Sequence, residues 1–285
     1  MKSLHLLIFF IFISTSANSQ RILLGVFGGA SAYSGELSSN IFSKKVTNGA
    51  VGLTVNYEAT DNLILRGGIT YSVVGGADRY SKSADLVNRN LSFETAIVEL
   101  SAVGEYNLLN LFERPYTPYF FAGLAVYKFN PYAYDPGGQK TFLKPLSTEG
   151  QGLSGYPESK PYQLTQLAIP FGGGFKFALN DDLRIGIEAG LRKLFTDYLD
   201  DVSNNYIDPV DLLAAKGPKA VDMSYRGYEL VGGNLNYPPK GQPRGNSKVK
   251  DYYYFAGIHI SYRIGTDNSF GNGQRSQTDC PVNVY

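Results

Sequence analysis

The side chains of this sequence that could do chemistry are mostly ionisable groups embedded in alternating segments. Glu58, Arg66, Glu99, Glu105, Lys176, Arg184, Glu188, Arg192, His259 and Arg263 share the polar register of those segments, with Lys128 read on the same side. Carboxylates near a histidine and a hydroxyl could form a nucleophile–base–acid relay. His259 and Ser261 are the natural pair to test, because the other histidine, His5, lies in an apolar leader. Two residues along one strand are about 7 Å apart, so a relay would need a hydroxyl from a neighbouring strand. Charges of both signs on one register are better explained as a mutually neutralising network, with His259 hydrogen-bonded inside it. Leaving them unpaired would cost several kcal/mol per ion.

Other chemistries find less support. Asp197, Asp200 and Asp201 are closely spaced hard-oxygen ligands that could hold calcium, but they lack the spacing of an EF-hand loop. They are therefore read as a solvated loop rim or as partners for loop lysines and arginines. The glycine runs lie in alternating segments without a following Lys-Ser/Thr, which argues against a phosphate loop. Cys280 is the single cysteine, so neither an intramolecular disulfide nor a multi-cysteine metal site can form. No catalytic residue, cofactor site or metal centre is expected.

The elements that must position these charges have a period of two. Val51, Leu53, Val55 and Tyr57 alternate with Gly52, Thr54, Asn56 and Glu58. The same alternation runs through 63–74, 183–192 and 252–264, and with more noise through 21–33, 92–107, 117–130 and 164–178. Each segment is long enough for a tilted membrane strand. Connections near 34–48, 75–91, 131–163 and 199–250 are long; those near 60–62, 108–116 and 179–182 are short. Alternating long and short connections predict an all-β, eight-stranded antiparallel transmembrane up-and-down β-barrel over residues 20–265. Its long loops are extracellular and its short turns periplasmic. Tyr57, Tyr71, Tyr106, Tyr127, Tyr252 and Tyr262 are read as aromatic girdles on the lipid-facing register. An eight-strand lumen is just wide enough for side chains to fill. Within 199–250, Asp208, Pro209 and Gly217 carry the signals of a short helix, capped by Asp208 and ended at Gly217. The remainder of that loop is read as irregular.

Residues 1–19 read as a secretory signal peptide. Lys2 precedes an apolar run of about ten residues, too short to span a bilayer, and Ala17 and Ser19 suit cleavage before Gln20. Residues 266–285 are rich in Gly, Asn, Gln, Ser and Asp. They predict a flexible tail that cannot bury enough apolar surface to fold alone. In this topology the tail emerges in the periplasm, where Cys280 suits an intermolecular disulfide or a reactive thiol. The formal net charge of +1 gives no bias toward nucleic acid. The expected location is the outer membrane, with the lipid bilayer as the principal partner.

Several blocks carry a resemblance to a known family. They are Pro118-Tyr119-Phe120-Phe121-Ala122-Gly123-Leu124, Thr148-Glu149-Gly150-Gln151-Gly152, Ile169-Pro170-Phe171-Gly172-Gly173-Gly174-Phe175-Lys176 and, most specific, residues 192–203 from Arg192-Lys193-Leu194-Phe195 onward. Phe255-Ala256-Gly257, Ser261-Tyr262-Arg263-Ile264 and the late Cys280-Pro281 complete the set. Together they resemble the PorG-like outer-membrane barrels associated with type IX secretion, over nearly the whole mature chain. The resemblance implies a structural, non-enzymatic anchor of a secretion or gliding machine. Its implied partner is a periplasmic ring lipoprotein of the PorK–PorN type, with Cys280 as the candidate contact. The alternative is a small barrel with an independent envelope role, such as adhesion or membrane integrity.

Overall fold

The computed structural model describes residues 21–38 and 47–264. The expected signal peptide and the tail with Cys280 lie outside the described residues. The chain forms β1 (Ile22–Ser34), β2 (Asn48–Glu58), β3 (Leu63–Ala77), β4 (Ser92–Asn107) and β5 (Tyr116–Lys128), then two short strands, β6 (Tyr132–Tyr134) and β7 (Lys140–Phe142). It continues with β8 (Thr165–Ala178), β9 (Leu183–Leu194) and β10 (Tyr252–Arg263). The eight long strands pair antiparallel, each with its neighbour in sequence, and β5 pairs with β8. β10 returns to pair with β1, from Leu23 opposite Arg263 to Ser34 opposite Tyr252, which closes the sheet. This is the eight-stranded up-and-down barrel that the alternation predicts. Closure leaves none of its eight strands with an open edge, a condition for crossing hydrocarbon.

The pleat sends apolar residues outward and polar residues inward. Leu53, Leu100, Leu124 and Ile187 are each more than 60% exposed, on four different strands. Together with Leu24, Val55, Ile69, Leu167 and Ile258 they form an apolar belt that suits lipid and would be untenable in water. Tyr57, Tyr71, Tyr106 and Tyr262 also point outward, and Tyr252 is half-buried at the outer end of β10. Tyr127 does not. It is fully buried in the lumen between Phe129 (5.5 Å) and Tyr253 (5.6 Å), and Lys128 is exposed on the outside. Both faces of β5 are apolar or aromatic from Tyr119 to Val126, so no polar residue there marks which face is inward.

The inner turns are tight for local reasons. The Asn180 carboxamide oxygen accepts from the amides of Asp182 and Leu183 (3.0 and 2.7 Å), and the Thr60 hydroxyl oxygen accepts from Leu63 (2.9 Å). The outer connections instead fold over the barrel as a cap. They carry α1 (Ala84–Arg89), α2 (Pro209–Lys216) and α3 (Pro218–Ser224). α2 starts as predicted, with the Asp208 carboxylate accepting from the Val210 amide at 2.9 Å, and ends at Gly217 with φ of 82°. α3 follows at once, which corrects the reading of the rest of that loop as irregular. Pro218 tolerates the first helical position because its missing N–H has no intrahelical role there. Asp208→Ala should cost the α2 start about 0.5–2 kcal/mol, read as faster amide hydrogen exchange confined to α2.

Barrel and cap share one apolar core. Phe27, Phe93, Tyr127 and Phe255 from the strands pack in the same cluster as Phe129, Leu143, Tyr162, Leu199 and Met223 from the loops.

Candidate functional site

The lumen holds the ionisable residues in stacked tiers. At the end with the short turns, Glu58 pairs with Arg184 and accepts from Arg263 at 2.8 Å. In the middle, Arg66 donates to Glu188 (2.5 Å) and lies 3.5 Å from Glu105, which also binds Lys176. The Tyr119 hydroxyl donates to Glu188 at 2.8 Å. Toward the outer end, Arg192 donates to Glu99 (3.2 and 3.4 Å), and the Tyr253 hydroxyl donates to the same carboxylate at 2.6 Å. Three cations also lie over aromatic faces: Arg66 over Phe121 (4.9 Å), Lys176 over Tyr119 (4.6 Å) and Arg192 over Phe255 (4.2 Å).

These pairs join residues far apart in sequence, so each tier ties non-adjacent strands across the lumen. His259 sits among them. Its Nε2 is 2.8 Å from the Thr54 hydroxyl of β2, the strand beyond β1. Gly25, on β1 between them, makes room for this contact: an added Cβ would come within 2.4 Å of the Thr54 hydroxyl and 2.7 Å of the imidazole. The cavity that borders Arg66, Thr70, Glu188, Phe255 and His259 has a volume of about 30 Å³, roughly room for a water molecule and too small for a substrate.

The cap contains a second polar network that the strand pattern does not show. Glu149 accepts from the amides of Ser203 and Asn204 (both 2.9 Å) and from Arg244 (2.8 Å). Arg244 also donates to the carbonyls of Asp201 (2.6 Å) and Ser224 (3.1 Å). Asp201 accepts from Thr148 (2.5 Å) and Tyr162 (2.7 Å). Burial raises the Asp201 carboxyl to about 6, against the opposing pull of Arg244, Thr148 and Tyr162. Gly150 has φ of 76°, a conformation that a side chain would strain. Nearby, Asp78 and Arg89 form a two-pronged pair at 2.7 Å, and Arg89 also reaches the Arg244 carbonyl.

A third cluster lies at the outer rim of the barrel. Glu36, Asp197 and Asp251 bring carboxylate oxygens within 4.8 Å of one another. Asp200 is close by, accepting from the Tyr33 hydroxyl at 2.6 Å. The sequence expects residues 196–201 to be a solvated rim or partners for loop lysines and arginines; the solvated rim does not hold. Instead Asp197, Asp200 and Asp201 are each at most 2% exposed, because the cap folds down over them. Burial raises Asp197 and Asp200 to about 7 and Glu36 to about 9, with neighbouring carboxylates adding to the rise. Glu36, Asp251, Glu149 and Arg244 were not singled out as site residues, since no local spacing signals a contact between separate loops.

A closed antiparallel barrel with a lipid-facing apolar belt, a lumen filled by paired charges and a cap continuous with its core is a transmembrane β-barrel of the outer-membrane kind. The chain belongs to the family described as "Domain of unknown function (DUF6089)", whose profile matches residues 2–144, about half of the sequence. No curated protein matches it. Among solved structures it is similar to Neisserial surface protein A, at 10% identity over 86% of this chain and 98% of that one, with a TM-score of 0.42. It is similar to the attachment invasion locus protein Ail of Yersinia pestis at 9% identity, over 85% of this chain and 97% of that one, with a TM-score of 0.40. The outer membrane protein OprG of Pseudomonas aeruginosa gives 10% identity over 87% and 99% of the two chains, also with a TM-score of 0.40.

Proposed function

We propose that this chain is a non-conducting, non-enzymatic structural component of the outer membrane that anchors a larger assembly. The observation that supports this reading is the plugged lumen. Among the described residues, three tiers of ion pairs and an aromatic layer fill the barrel beneath a packed cap, and the cavity beside His259 has a volume of only about 30 Å³. A barrel built this way offers surfaces instead of a passage or a reaction chamber.

The assembly proposed is a secretion or gliding machine of the type IX kind, as the PorG-like resemblance implies. The blocks at 148–152 and 192–203, which carry much of that resemblance, hold the cap together through Thr148, Glu149 and Asp201. Their role is to maintain a fold, so partner contact falls to the other end of the barrel. The periplasmic turns and the tail with Cys280 would face a ring lipoprotein of the PorK–PorN type, with export by the N-terminal segment placing the barrel correctly.

Two measurements test this. Single-channel recordings in planar bilayers should stay at background; steady large currents would sink the plugged-lumen reading. Mild detergent extraction should co-purify the barrel with a periplasmic lipoprotein. A high-mass band on non-reducing gels should vanish with reductant and in Cys280→Ser. A barrel that elutes alone, together with an adhesion or permeability defect in a deletion strain, would favour the independent envelope role.

A further inference from the structure

Glu36, Asp197 and Asp251 come from three segments that meet at the outer rim. Glu36 follows β1, Asp197 lies just past the end of β9, and Asp251 immediately precedes β10. These strands are neighbours in the order β1–β10–β9, so the cluster sits where the longest loop leaves the barrel and returns to it. The Asp251 amide donates to the Thr196 carbonyl at 3.3 Å, which narrows that neck further.

The electrostatics of the neck are unbalanced. Asp197 is 2% exposed, and neither of its carboxylate oxygens accepts a hydrogen bond; the same is true of Glu36 Oε2. Buried carboxylates without partners are costly, and Lys250 offsets the Asp197 charge only through space, without forming an ion pair with it. Arg89 is committed to Asp78 through two 2.7 Å bonds, and the Lys250 ammonium donates to the Ser247 carbonyl at 3.0 Å. Asp251 is partly satisfied by the Leu199 amide (2.9 Å) and the Tyr33 hydroxyl (3.1 Å), and Asp200 by Tyr33 and the Val202 amide. The orphaned oxygens are therefore those aimed into the space between Glu36, Asp197 and Asp251.

We propose that Glu36, Asp197 and Asp251 bind one Ca²⁺ ion, which clamps the neck of the 195–251 loop to the outer end of β1. This departs from the expectation of no metal. All three ligands are hard oxygens with no histidine or cysteine among them, which selects against zinc and copper. Ca²⁺–oxygen distances of about 2.3–2.6 Å allow ligand atoms up to roughly 5 Å apart, which the 4.8 Å cluster satisfies. Mg²⁺, at about 2.1 Å, demands a tighter octahedron and keeps several waters. Asp200 stays on Tyr33 and adds negative charge beside the ion. Burial holds the Asp197 carboxyl near 7, so the ion would also displace protons from the cluster.

The test is isothermal titration calorimetry of CaCl₂ into the full-length barrel, stripped with EDTA in detergent and freed of lipopolysaccharide. Expected is one ion per chain, with Kd of roughly 10⁻⁴–10⁻³ M as in extracellular calcium modules, and a rise in the unfolding temperature on heat-modifiability gels. Asp197→Asn and Glu36→Gln should each weaken binding by about tenfold or more, while the exposed Glu158→Gln should not change it. Glu36 is only half-buried, so its variant carries the test if Asp197→Asn fails to fold. Absence of saturable binding in the wild type up to about 10 mM CaCl₂, far above the affinities of such modules, would overturn the proposal. So would wild-type affinity in the folded variants, or equal affinity for MgCl₂.

Discussion

Glu149→Leu should loosen the cap by about 3–5 kcal/mol while the barrel stays closed. The carboxylate is fully buried and accepts three hydrogen bonds, two from backbone amides and one from Arg244. Leucine matches its bulk but leaves the Arg244 guanidinium without its carboxylate partner and the amides of Ser203 and Asn204 without acceptors. An abandoned buried charge is the costly part, because its desolvation is no longer offset. Hydrogen exchange and limited proteolysis should report the loss in 147–163 and 196–250. Strands β4, β9 and β10 should keep their protection in the membrane. A second substitution, Arg244→Met, made in the Glu149→Leu background, should recover part of the loss by removing the unpaired cation. If cap exchange is unchanged in Glu149→Leu, the network does not hold the cap.

The second large effect is on the lipid face. Ile187→Arg should cost about 2–4 kcal/mol, and Val55→Arg a similar amount, measured by reversible unfolding from lipid vesicles in denaturant. Both residues lie mid-strand and point out of the barrel, with Ile187 63% and Val55 50% exposed. A guanidinium there has no counter-charge and no water. The neighbours Thr54 and Glu188 face inward, so cysteines placed at 55 and 187 in a Cys280→Ser background should react with a lipid-soluble reagent. Cysteines at 54 and 188 should not. The reverse labelling pattern would show the registers to be inverted.

The four cleanest strands were legible because their two faces differ in chemistry. In β2 every outward position is apolar or small, and in β9 every one up to Leu191 is, with Lys193 breaking the pattern only at the strand's outer end; the inward face carries Asn56, Glu58, Arg184 and Arg192. β5 was illegible for the opposite reason. With Tyr119 and Phe121 on one face and Phe120 and Leu124 on the other, period two exists but its phase carries no information. The lumen charges could be named as a set because each is visible on its own strand. Their pairing was not readable, since Arg66 with Glu188 and Arg192 with Glu99 depend on which strands face each other across the closed ring. The cap was least legible. Its Glu149–Arg244 pair and its rim carboxylates join loops with no periodicity, and only the Asp208 helix start left a local mark.

The strand order sets when the molecule can become stable. The contact that closes the barrel pairs the first described strand with the last, Leu23 with Arg263. Contacts of such separation incur the largest loop-closure entropy and slow the search for the native state. Partners that satisfy the interior carboxylates arrive late in synthesis: Arg263 pairs with Glu58, and the Tyr253 hydroxyl donates to Glu99. A chain that lacks β10 would hold two exposed strand edges and half-neutralised carboxylates in hydrocarbon, a state that membrane insertion disfavours. Insertion and closure are therefore coupled to the final strand, so C-terminal truncation before Tyr253 should yield chains that are degraded in the periplasm instead of partial barrels in the membrane.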